Sequence, residues 1–309
     1  MTAAVATAAP PAPRRRRRRT TDMQTRRDRL LSVNLALPSI LLLGAAQLYP
    51  LVQGILYSFQ KGKTTNPSQG WVGLRNYETV FNSSDFWGAV RFSVVFAIGA
   101  VVVSYLLGLG LALLLVRDIP MRGFLRVGFI VPWVIPGIVA MTSWRWMMQD
   151  QNGAVNIVLG WFGVDPIFFF NDPKWAAVAT IVVKAWRSFP FMLVSLMATL
   201  QSLDDVLNEA AVIDGANKWQ TFWHITFPQI VPMSAILWVL MTIWSVNDYE
   251  TPYLLTLGAK TTRNLMIYSF DEGIYHQLGV GSASAVITLS VLGVLAYFML
   301  KLQKKAAEQ

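Results

Sequence analysis

Glu209, Ala210, Ala211, Gly215, Ile225 and Pro228 fall in a polar interruption between two long apolar runs, and their types suit docking rather than bond-breaking. Glu209 offers a carboxylate for a hydrogen bond or an ion pair, Ala210 and Ala211 let another surface approach closely, and Gly215 permits a turn. Asp204 and Asp205 stand where helix-starting residues belong, since acids in a first turn favour the helix dipole by roughly 0.3–1 kcal/mol each. The pattern predicts a short helix over about 206–214, with Asp214 at its end, then the Gly215 break. Pro228 fits the first turn of the returning helix, where its missing N–H is harmless. An ordinary amphipathic connector accounts for alanine and glycine singly but gives no reason for the whole set. A segment of this kind is suited to being held by another protein at a membrane surface.

Ionisable groups inside the apolar runs are mostly cationic: Arg145, Lys184 and Arg187, with Asp248 and Glu250 at the end of a later run. A lysine or arginine at the centre of a membrane helix costs about 2.5–3.5 kcal/mol on insertion scales, so Lys184 and Arg187, one turn apart, must face a cavity or a protein partner. Two readings stay open for them, pairing with carbonyls or carboxylates of a neighbouring subunit, or contact with a polar solute. Arg145 lies near a helix end and is expected to snorkel. Catalytic signatures are missing. Gly62, Lys63 and Thr64 end like a phosphate-binding loop, but Tyr57 stands where the first glycine is required. The absence of cysteine and the presence of only two histidines, His224 and His276, remove disulfides, thiolate chemistry and nearly every zinc arrangement. No metal, cofactor or enzymatic activity is expected of this chain. A secondary transporter would show coupling carboxylates within the membrane or paired interrupted helices, and neither is evident.

The elements that must carry these residues are membrane helices. Hydrophobic residues make up 54% of the chain, charged residues 14%, and the mean hydropathy is +0.44. Charge-poor runs near 30–59, 92–116, 127–148, 175–200, 227–246 and 277–300 are each long enough to cross about 30 Å of hydrocarbon as a helix. Continuous rather than alternating hydrophobicity excludes a barrel, so the predicted fold is all-α and polytopic with six transmembrane helices. Arginines 14–19 with Arg26, Arg27 and Arg29, then Arg117, Arg122 and Arg126, and finally Lys301, Lys304 and Lys305 put both termini on the cytoplasmic side. Lys61, Lys63 and Arg75 depart from that rule, and Lys218 is the only lysine or arginine among the acids of the 201–228 loop. The expected parts are a basic disordered tail over 1–29, a first helix over 30–60, a five-helix core over 88–302 with the loop 201–228, and a tail over 303–309. With a pI near 9.9 the arginine run could be taken for a nucleic-acid arm, but beside a membrane span it reads as a topology anchor, and no nucleic-acid partner is expected. Arg26 and Arg27 before Leu30 and Leu31 imitate a twin-arginine signal without its cleavage site, so an uncleaved helix is expected.

The spacing of Glu209, Ala210, Ala211, Gly215, Ile225 and Pro228 resembles the cytoplasmic signature of the inner-membrane permease subunits of ABC importers, with Phe227 where that signature has leucine. Tyr49-Pro50, Ser58-Phe59, the run Val72-Gly73-Leu74-Arg75-Asn76-Tyr77, Arg122-Gly123, Trp186 with Phe189-Pro190-Phe191, and Asp214-Gly215-Ala216 are similar to the carbohydrate-uptake members, those of maltose, trehalose and glycerol-3-phosphate, in the form with an extra first helix. Leu255-Thr256-Leu257-Gly258 resembles their Leu-Thr-Gly-Gly-Pro turn, with Leu257 and Ala259 replacing a glycine and the proline. The resemblance implies a type I importer permease in a bacterial or archaeal cytoplasmic membrane. It implies a second related permease, two ATPase subunits that hold ATP and magnesium, and an extracytoplasmic solute-binding protein. Coupling through Glu209, Ala210, Ala211, Asp214, Gly215, Ile225 and Pro228 follows from it, as does a solute path near Ser188, Phe191, Trp244, Ser245 and Asp248. The solute implied is a di- or oligosaccharide, with glycerol-3-phosphate or another polyol as the alternative.

Overall fold

The computed structural model describes residues 17–203 and 205–307. Arginines 14–16 and Asp204 lie outside the described residues. The described chain is helical, and two isolated bridge pairs, Gln60 with Trp71 and Lys63 with Asn66, are the extent of strand-like pairing among the described residues. Two compact units divide it, residues 1–53 and 54–309.

The first unit carries most of α1 (Arg17–Ser58). This helix starts at Arg17, so residues 17–29 are helical where the sequence predicts a disordered tail. Arginine, glutamine, methionine and leucine are good helix formers, and no proline or glycine interrupts the chain between 17 and 37. The part Leu35–Ser58 is apolar and long enough to cross a bilayer.

The second unit holds α2 (Arg75–Phe81), α3 (Ser84–Leu115), α4 (Arg122–Val134), α5 (Gly137–Met147), α6 (Ala154–Trp161) and α7 (Pro173–Gln201). Beyond these come α8 (Asp205–Ile213), α9 (Lys218–Thr221), α10 (Phe227–Val246), α11 (Glu250–Thr256), α12 (Leu265–Asp271) and α13 (Leu278–Ala307). Five helical runs are long and apolar enough to span, Leu35–Ser58, Ser84–Leu115, Pro173–Gln201, Lys218–Val246 and Leu278–Phe298. The run expected over 127–148 is broken instead: α4 and α5 meet at 95°, and the count reaches six only if this bent pair is one span. Ile135 and Pro136 are both extended, with ψ of 129° and 133°. A residue before proline is pushed out of the helical region, and Pro136 has no N–H to continue the ladder. Hydropathy runs straight through this break, which is why a scale based on it alone reads one helix.

α3 and α7 run parallel and pack through a ridge of small residues. Ala100, Ser104, Gly108 and Ala112 recur every fourth position and are buried. A Cβ at Gly108 would lie 2.6 Å from the Met192 Cβ, so the two backbones approach as closely as side-chain-free packing allows. In lipid such contact replaces the hydrophobic drive that helices lack there. Tyr105, Met192, Leu193, Leu196, Ile230 and Met241 close around the seam, and the Tyr105 and Ser234 hydroxyls are 2.8 Å apart. Asp172 caps α7 by accepting from the N–H groups of Lys174 and Trp175 at 2.7 and 3.2 Å, ahead of Pro173. A second cluster, with Ala140, Met141, Val183 and Leu255, fastens α5 and α11 to α7. These contacts fix the α10–α11 corner against the middle of α7.

Candidate functional site

The polar interruption folds as α8, a turn, and α9. α8 occupies Asp205–Ile213, within one residue of the helix predicted from the spacing. Gly215 takes φ +81°, and its N–H bonds the Val212 carbonyl at 3.1 Å while the Ala216 N–H reaches back to the Ala211 carbonyl at 2.9 Å. This pair of bonds is a Schellman motif, which satisfies the last carbonyls of the helix and requires a left-handed residue at the Gly215 position. Asn217 then opens α9 with a reciprocal box: its side chain accepts from the Gln220 N–H, and the Gln220 side chain accepts from the Asn217 N–H, each at 2.9 Å.

Side chains on this loop point largely outward. Ile213 is 84% exposed, and Val206, Leu207, Glu209, Ala210, Val212 and Asp214 are exposed with it. Ala211, by contrast, is buried, so only Ala210 of the alanine pair offers a close approach to another surface. Ile225 is half-buried and Pro228 exposed. Helical structure begins at Lys218, ten residues ahead of Pro228, because Phe222–Thr226 forms a π-helical turn in which the Phe227 N–H bonds the Phe222 carbonyl. Proline cannot donate to the carbonyl four residues back, and the wider turn gives that carbonyl room. Trp219 and Trp223, edge to face with ring centroids 5.6 Å apart and exposed, belong to the same surface. Two tryptophans one turn apart in a polar loop were the sequence signal for them.

The second region lies between α4, α7 and α10. Trp133, Lys184, Arg187, Ser188, Phe191, Met241 and Trp244 line an open cavity of about 230 Å³. Phe191 stands between Trp133 and Trp244, with ring centroids 6.0 and 5.0 Å away. Of the five positions expected to form a solute path, Ser188, Phe191 and Trp244 meet here. Ser245 is fully buried and does not line the cavity. On α10 its neighbour Trp244 takes the cavity-facing place, and adjacent residues of a helix face different ways. Asp248 also stands off the cavity wall and reaches it only through Lys184.

The cations find their partners inside the chain. Lys184 Nζ lies 2.8 Å from Asp248 Oδ2, a pair almost wholly buried at 11% and 7% exposure. Arg187 donates to Glu250 at 2.6 Å, in a more open setting at 26% and 39%. No neighbouring subunit is needed to neutralise either one. Asp248 is itself held in place, its Oδ1 accepting from the Thr251 N–H at 3.0 Å and its carbonyl accepting from Asn264 at 2.6 Å. Glu250 fills the space beside Gly137 at the start of α5, where an added Cβ would collide with the carboxylate. Arg145 does not snorkel: it donates to the Leu255 carbonyl at 3.2 Å and lies over the Phe170 ring, 5.6 Å from its centroid. Among the described residues no group of acids and histidines could hold a metal ion.

A family model described as binding-protein-dependent transport system inner membrane component matches residues 104–309. The sulfoquinovosyl glycerol transport system permease protein SmoG of Agrobacterium fabrum is 32% identical over 269 residues, covering 85% of this chain and 87% of that protein. The trehalose/maltose transport system permease protein MalF of Thermococcus litoralis is 30% identical over 264 residues, covering 85% and 90%. In fold, the chain is similar to a bacterial ABC transporter that imports the acidic polysaccharide alginate, with a TM-score of 0.75 at 22% identity over 93% of this chain and 99% of that one. A match over two thirds of the sequence, joined to a helical bundle with a bent span and an exposed capped loop, leaves one assignment: this chain belongs to the family of binding-protein-dependent transport system inner-membrane components.

Proposed function

We propose that the chain is a permease subunit of an ATP-driven sugar importer and supplies half of the translocation path across the cytoplasmic membrane. Its companions in this reading are a second related permease, two ATPase subunits that carry ATP and magnesium, and an extracytoplasmic solute-binding protein. The observation that carries it is α8, a short helix fixed by the Gly215 turn that presents Val206, Leu207, Ala210, Val212 and Ile213 to solvent beside Glu209. Exposed apolar side chains rimmed by a carboxylate mark a protein docking surface. Both termini and this loop lie on the cytoplasmic side in the proposed topology, where the ATPase would seat the loop and drive a population shift between inward- and outward-open forms.

The cavity supports a half-site. At about 230 Å³ it is smaller than the roughly 300–1,000 Å³ of ordinary ligand pockets, so a facing subunit would complete it. Aromatic faces of Trp133, Phe191 and Trp244 suit the C–H faces of sugar rings, and Ser188 supplies a hydroxyl. With Lys184 and Arg187 already paired, the wall carries no uncompensated cation, which favours a neutral di- or oligosaccharide over a phosphorylated polyol. Relatives named for trehalose and maltose fit that class.

The test is uptake by the whole transporter. Glu209→Lys and Gly215→Pro should abolish sugar uptake and loosen copurification with the ATPase while membrane insertion persists. Normal uptake by both variants would refute docking through this loop, and transport by the purified chain alone in liposomes without nucleotide would refute the assignment.

A further inference from the structure

Arg91 is a cation without a counter-charge at the edge of an apolar run. It sits seven residues into α3, about 10 Å along the helix from Ser84. Arg145, Lys184 and Arg187 each meet a carbonyl or carboxylate of this chain, whereas Arg91 has no ion pair or side-chain hydrogen bond among the described residues. The charge-poor run begins at the next residue, Phe92, so this exposed, unpaired charge stands at the edge of the apolar segment, where an anion from outside the chain can meet it.

The surroundings of Arg91 say what that is. Gly88, Arg91, Phe92, Val95, Pro173, Lys174, Ala177, Lys260 and Thr261 enclose a groove of about 470 Å³ where α3 and α7 both begin, at the end of the bundle away from α8. Three cations from three separate elements converge on its rim. Lys260 is partly engaged by Asp85 at 3.1 Å, while Lys174 forms no ion pair among the described residues. The α7 N–H groups are already capped by Asp172, so the attraction to an anion comes from side chains. Below the rim the floor is apolar, formed by Phe92, Val95 and Ala177. A cationic rim above an apolar slot in a membrane-crossing helix pair matches an amphiphile, with a negative head on Arg91 and Lys174 and a hydrocarbon tail against the floor.

We propose that this groove is a binding site for an anionic phospholipid, its headgroup phosphate held by Arg91 and Lys174 with Thr261 and Lys260 at the margin. A carboxylate from another protein chain is the competing occupant, and the apolar floor that continues into the span favours the lipid over it.

The full-length chain, purified in neutral detergent and stripped of lipid, is titrated with phosphatidylglycerol or phosphatidylcholine of identical acyl chains, and bound lipid is counted by native mass spectrometry. One phosphatidylglycerol should bind in preference to phosphatidylcholine. Each charge removed should weaken it about fivefold, and Arg91→Gln with Lys174→Gln about thirtyfold together. Arg91→Lys, which keeps the charge, should retain the preference and separates headgroup binding from a folding defect. Lys61→Gln, away from the groove, should change nothing. Equal uptake of the two lipids by the unaltered chain, or an unchanged preference in the double variant, overturns the proposal. Displacement of phosphatidylglycerol by millimolar inorganic phosphate overturns it in favour of a free-anion site. Equal lipid uptake joined to loss of a copurifying protein in Arg91→Gln overturns it in favour of a protein contact.

Discussion

The exposed loop and the cavity are built by opposite means. The loop holds its shape within one short stretch of chain, through the Schellman bonds around Gly215 and the box between Asn217 and Gln220. The cavity wall depends on pairs far apart in sequence, Arg187 with Glu250 being separated by 63 positions and Lys184 with Asp248 similarly. Two glycines express the contrast. Gly215 is needed for its backbone angle and has nothing near its Cβ position, whereas Gly137 is needed for the room it leaves to the Glu250 carboxylate. A surface made from local geometry keeps its shape without help from the bundle, while a cavity wall made from long-range charge pairs ties its shape to the packing of α5, α7, α10 and α11.

The largest effect is expected where the charge pair is buried. Lys184→Met alone leaves Asp248 unpaired and should lower stability by about 3 kcal/mol, while adding Asp248→Asn should restore most of it. Thermal unfolding of the four chains of this cycle measures the coupling, and a single-variant loss below about 0.5 kcal/mol would mean the pair is solvated. On the loop, Gly215→Ala forces an L side chain into the left-handed region and should cost about 1 kcal/mol of local helix stability. Asn217→Ala should cost a similar or slightly smaller amount, about 1 kcal/mol, by removing a cap. Amide exchange confined to 205–226 checks both, and faster exchange near Lys184 would contradict the locality of the loop. The smallest change in stability, within about 1 kcal/mol, is expected for Glu250→Gln, because the Arg187 pair is partly exposed. Its signature is selectivity: with Arg187 unpaired, uptake of an acidic sugar should rise severalfold relative to a neutral one. Gly137→Ala should reproduce that shift by displacing the Glu250 carboxylate, and a neutral-sugar preference unaltered in both variants would remove these charges from the solute path.

Local features were readable before the structure and distant ones were not. Capping residues and Gly215 announce α8 to within one residue, because helix ends are set by neighbours in sequence. Apolar length announces the spans for the same reason. The break at Ile135–Pro136 was visible as a proline but hidden by uninterrupted hydropathy on both sides. Lys184 and Arg187 were recognisable as cations in need of partners, and Asp248 and Glu250 as acids at the end of a run. Nothing in the spacing could join them, since the joining is done by the α10–α11 corner folding back on α7. Trp133 stayed unread because tryptophans are common at membrane interfaces, and only the packing of α4 on α7 places it opposite Phe191. Leu257 holds φ +54° where the resembling turn carries a glycine, a strained choice that its substitution pattern alone does not reveal.

α7 is a single helix that passes Lys184 and Arg187 at its middle and ends at Gln201, just before α8. Its buried Pro190 stands between that charged segment and α8, at a position that cannot donate to the Trp186 carbonyl. The helix therefore lacks one backbone hydrogen bond along its length, at Pro190. A missing rung at this one place leaves the shaft easier to bend there than above or below it, so the lower end, along its seam with α3, and the charged segment above need not tilt together.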